Sequence, residues 1–201
     1  MKLQFQILDE EKQHFKIITN SMLTFQLQPP SPNTRLTASL ISEVIELYSI
    51  NSFLFTETVT IVENGTCFSH PNLTLTTQFN EDIELLMANF LHEQFHWYVA
   101  KQASRLRAIV SQLRLQFPEL TYLSPPFVAR TPDLTYIHIV VCFLEQYILR
   151  QLLGAKSAEK IRDKVKMYLA VYQTIEDNYE SIEALLTTHE MLPFDFLNTN
   201  N

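Results

Sequence analysis

The sequence predicts one α+β domain of 201 residues, in which a small antiparallel or mixed sheet is followed by a helical C-terminal half. Two regions with different periodicity support this fold class. Residues 1–80 contain mainly strand-like alternation and one helical pattern, whereas residues 81–196 follow the helical period. The hydrophobic content of 46% is sufficient for one substantial core.

The amino-terminal strands are predicted from short stretches in which polar and apolar residues alternate. Residues 3–7 and 23–27 show this alternation, and apolar residues cluster between them at 15–18. We expect these stretches to form a small meander. A proline-rich break at 29–33 follows, and apolar residues at helical spacing then predict the first helix over 36–48.

Residues 52–77 are rich in Thr, Val, Phe and Ile, which favour strands. The dipeptide Asn64-Gly65 separates a strand over 53–62 from one over 66–68, and this dipeptide is a strong hairpin signal. A further strand is predicted over 73–77. Its alternation of Leu with Thr suits a strand with one face in water.

The remaining elements are predicted to be helices. Asn80 can cap a helix that runs to about residue 103, and the helical pattern continues to 115. Thr131 and Pro132 are typical of a helix start, and Gly154 is typical of a helix end. We therefore expect a helix over 131–153. Two further helices are predicted over 157–175 and 179–191.

Residues 92–96 read H-E-x-x-H. On a helix this spacing puts the imidazoles of His92 and His96 one turn apart on one face, with the carboxylate of Glu93 beside them. Catalytic zinc takes three protein ligands and keeps a fourth position for water. The motif therefore predicts a Zn²⁺ site that needs a third ligand from elsewhere. The alternative is a chance motif whose histidines are partly buried and hydrogen-bonded.

Two candidates for the third ligand lie on the predicted helix over 131–153. His138 and Glu145 are seven positions apart, which puts them near one stripe of that helix. A carboxylate in so apolar a helix is costly unless it is paired or binds a metal. Glu145 is the first choice, and His138 is the alternative. Glu145 has a second interpretation, as the partner of an arginine such as Arg130 or Arg150.

This order of elements resembles that of the zincin metallopeptidases, and specifically of their gluzincin branch. His92, Glu93 and His96 match the family motif, and Glu145 is the best match for the ligand glutamate of the later helix. Two features depart from the family pattern. Glu145 lies 49 positions after His96, a longer spacing than in thermolysin-like peptidases, and Leu149 stands where those enzymes often carry an Asp.

The resemblance implies a zincin-like fold, with the sheet packed against the active-site helix. It also implies that His92, His96 and Glu145 hold Zn²⁺ and that Glu93 is the general base for metal-activated water. By the same resemblance, an extended peptide substrate would add to the edge strand over 73–77. The oxyanion of the reaction needs a donor besides the metal.

Three side chains of the helix over 131–153 are candidates for that donor. His138 is the first choice because it shares the stripe of Glu145, and Tyr136 and Tyr147 are the other nearby groups. The first hypothesis is therefore a zinc metallopeptidase with Glu93 and His138 as catalytic residues. The alternatives are a non-catalytic interaction protein with a zincin-like scaffold, and a metal-dependent hydrolase of a different amide or ester.

Composition argues against several other classes. A net charge of −7 and a pI near 5.3 disfavour a nucleic-acid-binding protein, which needs a basic surface. The most apolar segment, 139–144, is too short for a membrane span. Cys67 and Cys142 have no neighbouring cysteine motif, so both are expected to be reduced thiols. Because the first residues lack a signal-peptide pattern, we expect a cytoplasmic protein. The sequence leaves the oligomeric state open.

Overall fold

The computed structural model describes residues 4–5, 16–19 and 23–193. The chain is α+β and mostly helical, which confirms the predicted class. Contacts between residues divide it into two compact units, Met1–Trp97 and Tyr98–Asn201, and the boundary falls within one continuous helix, Ile83–Lys101. The organisation as one domain stays a prediction.

The first unit contains a five-stranded sheet in the order β1-β2-β3-β4-β5. Strands β1, β2 and β3 pair antiparallel, whereas β3, β4 and β5 run parallel to one another. The strands are Gln4–Phe5, Lys16–Thr19, Thr24–Gln28, Thr58–Val62 and Leu73–Thr76. The sheet is therefore mixed, which is one of the two predicted arrangements. The other arrangement, an antiparallel sheet, is wrong because β3, β4 and β5 are parallel.

The predicted hairpin at Asn64-Gly65 is also wrong. The turn is present, because Gly65 adopts the positive φ of 124° that its lack of a side chain permits. However, the chain beyond it does not pair with β4. Phe68 pairs instead with Thr74 of β5, with N···O distances of 2.7 and 3.1 Å. A turn signal in the sequence predicts that the chain reverses its direction, but it does not predict which strand the chain pairs with afterwards.

The parallel register of β3, β4 and β5 aligns their buried apolar side chains in two rows across the sheet. These rows are Phe25, Val59 and Leu73, and Leu27, Ile61 and Leu75. The four residues of β5 are all buried, so the expectation that one face of this strand lies in water is wrong. Helix α1 (Pro32–Tyr48) packs on β3 and β4 and begins at a capping box formed by Ser31 and Thr34.

Helix α2 (Ile83–Lys101) carries the H-E-x-x-H motif, as predicted. Its cap differs from the prediction, because Oδ1 of Asp82 accepts a hydrogen bond from the backbone N–H of Leu85 at 3.1 Å. Asn80 instead accepts a hydrogen bond from the Thr37 hydroxyl at 2.7 Å and donates to the carbonyl of Asn33. The side chain of Asn80 therefore ties the preceding loop to α1.

The second unit is helical around α4 (Pro132–Leu153). The predicted start and end of α4 are confirmed, since the Thr131 hydroxyl caps its first turn and Gly154 adopts a positive φ of 82°. The single helix predicted over 157–175 is divided in two, because Val165 is extended and Tyr168 adopts the left-handed conformation with φ 59°. The other helices are α3 (Ala103–Gln116), α5 (Ala155–Lys164), α6 (Leu169–Asp177) and α7 (Tyr179–Thr188), with a 3-10 helix at Pro118–Tyr122.

Helix α4 has the length and composition that a membrane-spanning helix would need. It is also the central element of the second unit, since α3, α5 and α6 all pack against it. In its most apolar stretch of 18 residues, 72% of the residues are buried inside the protein. A core helix has the same composition, and the burial of α4 accounts for its apolar sequence.

Candidate metal centre

The two motif histidines lie side by side on α2. The ring centroids of His92 and His96 are 5.0 Å apart, with the ring planes at 70°, and one nitrogen of each lies within 4.8 Å of the other. Both side chains are half-buried, whereas Glu93 is only 6% exposed. The predicted one-turn spacing of the imidazoles is thus present, with a shielded carboxylate next to them in sequence.

Gln94, inside the motif, attaches α2 to the segment that leads into β4. Its Oε1 accepts hydrogen bonds from the backbone N–H groups of Phe55 at 2.8 Å and Thr56 at 3.0 Å, and its Nε2 donates to the carbonyl of Thr56 at 3.1 Å. Gln94 is fully buried. Because Gln94 is flanked by the motif residues, this attachment limits rotation of α2 about its axis. It thereby fixes the side of the helix from which the His92 and His96 side chains project.

Trp97 makes a second attachment one residue after the motif. Its indole N–H donates to the carbonyl of Ser69 at 2.8 Å, and its ring stacks on that of His70 with centroids 4.4 Å apart. Sequence reasoning missed the roles of both Gln94 and Trp97. The role of Gln94 could have been predicted from its position on the same face of α2 as the apolar residues Met87 and Leu91. An uncharged polar residue on such a face is costly unless it is hydrogen-bonded.

Cys67 is electrostatically coupled to the motif. Burial raises the pKa of its thiol to about 11, although the Thr76 amide acts in the opposite direction. The charge of Glu93 raises that pKa further, and the charge of His92 lowers it. Cys67 is therefore a protonated thiol at neutral pH, as expected for a reduced cysteine.

His138, in the second unit, has one ring nitrogen engaged by the backbone. Its Nδ1 lies 2.7 Å from the carbonyl oxygen of Leu134, and a carbonyl can only accept, so Nδ1 carries the hydrogen. The neutral ring then has its lone pair on Nε2, which is suitable for a metal ligand. To donate a hydrogen bond to an oxyanion from Nε2, His138 must take up a second proton. Its ring also packs on Tyr168, with centroids 4.1 Å apart.

Glu145 is buried in the middle of α4, with an exposed fraction of 2%. Its Oε2 accepts a hydrogen bond from the Tyr172 hydroxyl at 2.9 Å, and its Oε1 accepts one from Nε2 of Gln146 at 3.3 Å. A carboxylate oxygen of Glu145 also lies within 4.8 Å of Sγ of Cys142. Arg150, one of the arginines considered as a partner, lies over the ring of Tyr179 at 4.4 Å.

Tyr172 stays protonated in this environment. Burial raises its pKa well above the usual value, and Cys142 and Glu145 raise it further. The single phenolic proton is the one that Tyr172 donates to Glu145.

Tyr136, one of the three candidates for the oxyanion donor, uses its hydroxyl within the second unit. Its side chain is fully buried, and its hydroxyl donates to the carbonyl of Phe117 at 2.8 Å. Its one proton is thus already used within the second unit. Tyr147, the other tyrosine considered, stacks against Phe143 with centroids 6.2 Å apart.

Two groups of candidate side chains are therefore present. The first unit holds His92, Glu93 and His96 on α2, and the second unit holds His138 and Glu145 on α4. No family model matches the chain, and no curated protein or solved structure matches it.

Proposed function

We propose that this protein is a zinc-dependent hydrolase of the zincin type, in which Glu93 is the general base. The observation that carries the proposal is the pair of imidazoles on α2, whose ring centroids are 5.0 Å apart and which flank a buried carboxylate. Two histidines one turn apart are the usual core of such a site.

The donor groups are chemically suited to zinc. His92 and His96 offer imidazole nitrogens on one helix face, and Glu145 would supply an oxygen as third ligand. Its hydrogen bonds from Tyr172 and Gln146 are of the kind that orients a ligating carboxylate. His138 stays the alternative third ligand, because its Nδ1–H is held by a carbonyl and its Nε2 carries the lone pair.

Bound zinc would lower the pKa of its water toward neutrality. Glu93 would take the proton from that water and pass it to the leaving group, which is the work of a general base and then of a general acid. If Glu145 is the ligand, His138 is available as a donor to the oxyanion, in its doubly protonated form.

Peptide is the first substrate class that we propose, on the basis of the zincin motif alone. One observation favours the alternative class of non-peptide amides or esters. The outer backbone groups of Thr74 on β5 are hydrogen-bonded to Phe68, so an extended peptide would have to displace this segment before it could pair with the strand. The parallel order of β3, β4 and β5 also departs from the sheet that the resemblance implied.

The experiment is a metal analysis combined with turnover assays on a peptide library and on small amides and esters. We expect stoichiometric zinc in the wild type. Glu93→Gln is expected to retain zinc and to lose roughly 10²–10⁴-fold in turnover. Glu84→Gln, the same substitution in the first turn of α2, is the matched control and should leave turnover unchanged.

The possible results test the metal site, the substrate class and the catalytic activity separately. Absence of zinc from the purified wild type would contradict the metal site, and turnover of small esters alone would favour the alternative substrate class. Zinc binding without any turnover would favour a non-catalytic interaction protein. Glu145→Ala and His138→Ala, compared for zinc affinity, identify the third ligand as the residue whose loss weakens zinc binding more.

A further inference from the structure

The carboxylate of Glu145 has a hydrogen-bond donor on each oxygen, and the two donors have different origins. Gln146 is its neighbour on α4, whereas Tyr172 comes from α6. Glu145, Gln146 and Tyr172 are at most 6% exposed. The stronger contact by distance, 2.9 Å, is the one from Tyr172. The direction of this carboxylate therefore depends on a residue 27 positions away in the chain.

The position of Tyr172 is itself set by a specific backbone arrangement. Helix α6 starts where Tyr168 adopts φ 59°, a conformation that non-glycine residues rarely take. The loop at Pro126 and Phe127 holds this start, because Tyr168 N–H donates to the carbonyl of Pro126 at 2.6 Å and Ala170 N–H donates to that of Phe127 at 2.9 Å. Tyr172 then lies one turn into α6, facing α4.

A buried carboxylate is stable only when its lone pairs are satisfied. A phenol on one oxygen also fixes the torsion of the carboxylate, since the group cannot rotate without losing a short hydrogen bond. Ligating carboxylates in metalloproteins are oriented in this way by neighbouring donors. The geometry at Glu145 thus has the form expected around a metal ligand.

We infer that Tyr172 is the positioning residue for Glu145 as third metal ligand. This inference rests on the proposed function, because it requires that the chain binds zinc. Tyr172 acts through Glu145 and has no contact with substrate in this assignment. Loss of its hydroxyl is expected to weaken zinc binding roughly 10–100-fold, as loss of such partners does elsewhere.

The test compares the zinc dissociation constants of four full-length proteins, measured by competition with a chromophoric chelator. These are the wild type, Tyr172→Phe, Glu145→Ala and the double variant. Tyr172→Phe should weaken zinc binding in the wild-type background but have no further effect in the Glu145→Ala background. A double-mutant cycle of this kind separates positioning from a general loss of stability. The absorption bands of bound Co²⁺ should shift in Tyr172→Phe if the ligand geometry changes.

Tyr136→Phe is the matched control, because its hydroxyl is also buried and also donates a hydrogen bond within the second unit. It should cost similar stability and leave zinc affinity unchanged. If circular dichroism shows that Tyr172→Phe is unfolded, all proteins are compared in trimethylamine N-oxide, which favours the folded state. Unchanged zinc affinity in Tyr172→Phe would overturn the inference alone. A wild-type chain without zinc affinity would overturn the proposed function together with the inference.

Discussion

The side-chain amide of Gln94 forms two hydrogen bonds with the backbone of Thr56, one to its N–H and one to its carbonyl, as a residue of a neighbouring β-strand would. Its Oε1 accepts from the Thr56 N–H at 3.0 Å, and its Nε2 donates to the Thr56 carbonyl at 3.1 Å. A buried glutamine at the centre of H-E-x-x-H thus completes the hydrogen bonding of a backbone segment outside the sheet. The direction of His92 and His96 is linked by this contact to the chain that enters β4.

Replacing Gln94 with Leu should destabilise the protein by about 2–3 kcal/mol, because backbone groups of the half-buried residues Phe55 and Thr56 lose their partners. Urea unfolding followed by circular dichroism measures this change. Gln151→Leu, on an exposed position of α4, is the control and should be nearly neutral. Equal midpoints for both variants would show that water replaces the Gln94 amide without cost.

Cys67 should react slowly with alkylating agents below pH 9, and its rate should rise about tenfold per pH unit until the pH approaches its pKa of about 11. The raised pKa also has a consequence for stability. Below pH 9.0, the usual pKa of a cysteine thiol, the thiol is protonated in both the folded and the unfolded chain. Between pH 9 and 11 the unfolded chain binds fewer protons, so the free energy of unfolding falls as the pH rises.

The measurement is a series of urea unfolding curves of zinc-free protein between neutral pH and pH 11, with Cys67→Ala as the control. The alanine variant should lose less stability over this range than the wild type. Parallel losses in the two proteins would contradict the assignment of this pH dependence to Cys67.

Trp97→Phe should loosen the segment that covers β5, since it removes the hydrogen bond to Ser69 and leaves the ring in place. We expect a loss of about 1 kcal/mol in the free energy of unfolding. Hydrogen exchange should also become faster at the amide of Thr74, which donates to the Phe68 carbonyl at 2.7 Å. Phe79→Leu, a change at another half-buried aromatic of the same unit, is the control for ring substitution. Unchanged exchange at Thr74 would mean that the segment is held by other contacts.

Asp82→Ala should destabilise the protein by about 0.5–2 kcal/mol through loss of the helix cap of α2. Asp82→Asn should retain most of that stability, because the amide oxygen can still accept from the N–H of Leu85. Thermal unfolding of both variants checks this. Equal losses in Asp82→Ala and Asp82→Asn would indicate that the charge near the helix start, and not the hydrogen bond, is the stabilising feature.

Local signals in the sequence predicted several features well. Thr131-Pro132 and Gly154 marked the two ends of α4, since capping and positive φ depend on one or two residues. The spacing of His92 and His96 predicted their proximity, because it follows from helix geometry alone.

The errors arose where the outcome depends on distant parts of the chain. Gly65 makes its turn, but Thr74 determines where Phe68 pairs. Asn80 has the chemistry of a helix cap, yet the hydroxyl of Thr37 offers it another partner. The break at Tyr168 depends on carbonyls of the loop at 126–127, which no local pattern around residue 168 reveals.

The pairing of Phe68 with Thr74 also bears on how this chain avoids association with its own copies. A strand at the end of a sheet exposes unpaired amides and carbonyls that can template another chain. On β5 the outward N–H and C=O of Thr74 are already used by Phe68, at 2.7 and 3.1 Å. This short antiparallel bridge follows a turn that the sequence predicts clearly. It thus protects this part of the sheet edge from pairing with a strand of another molecule and from the aggregation that follows.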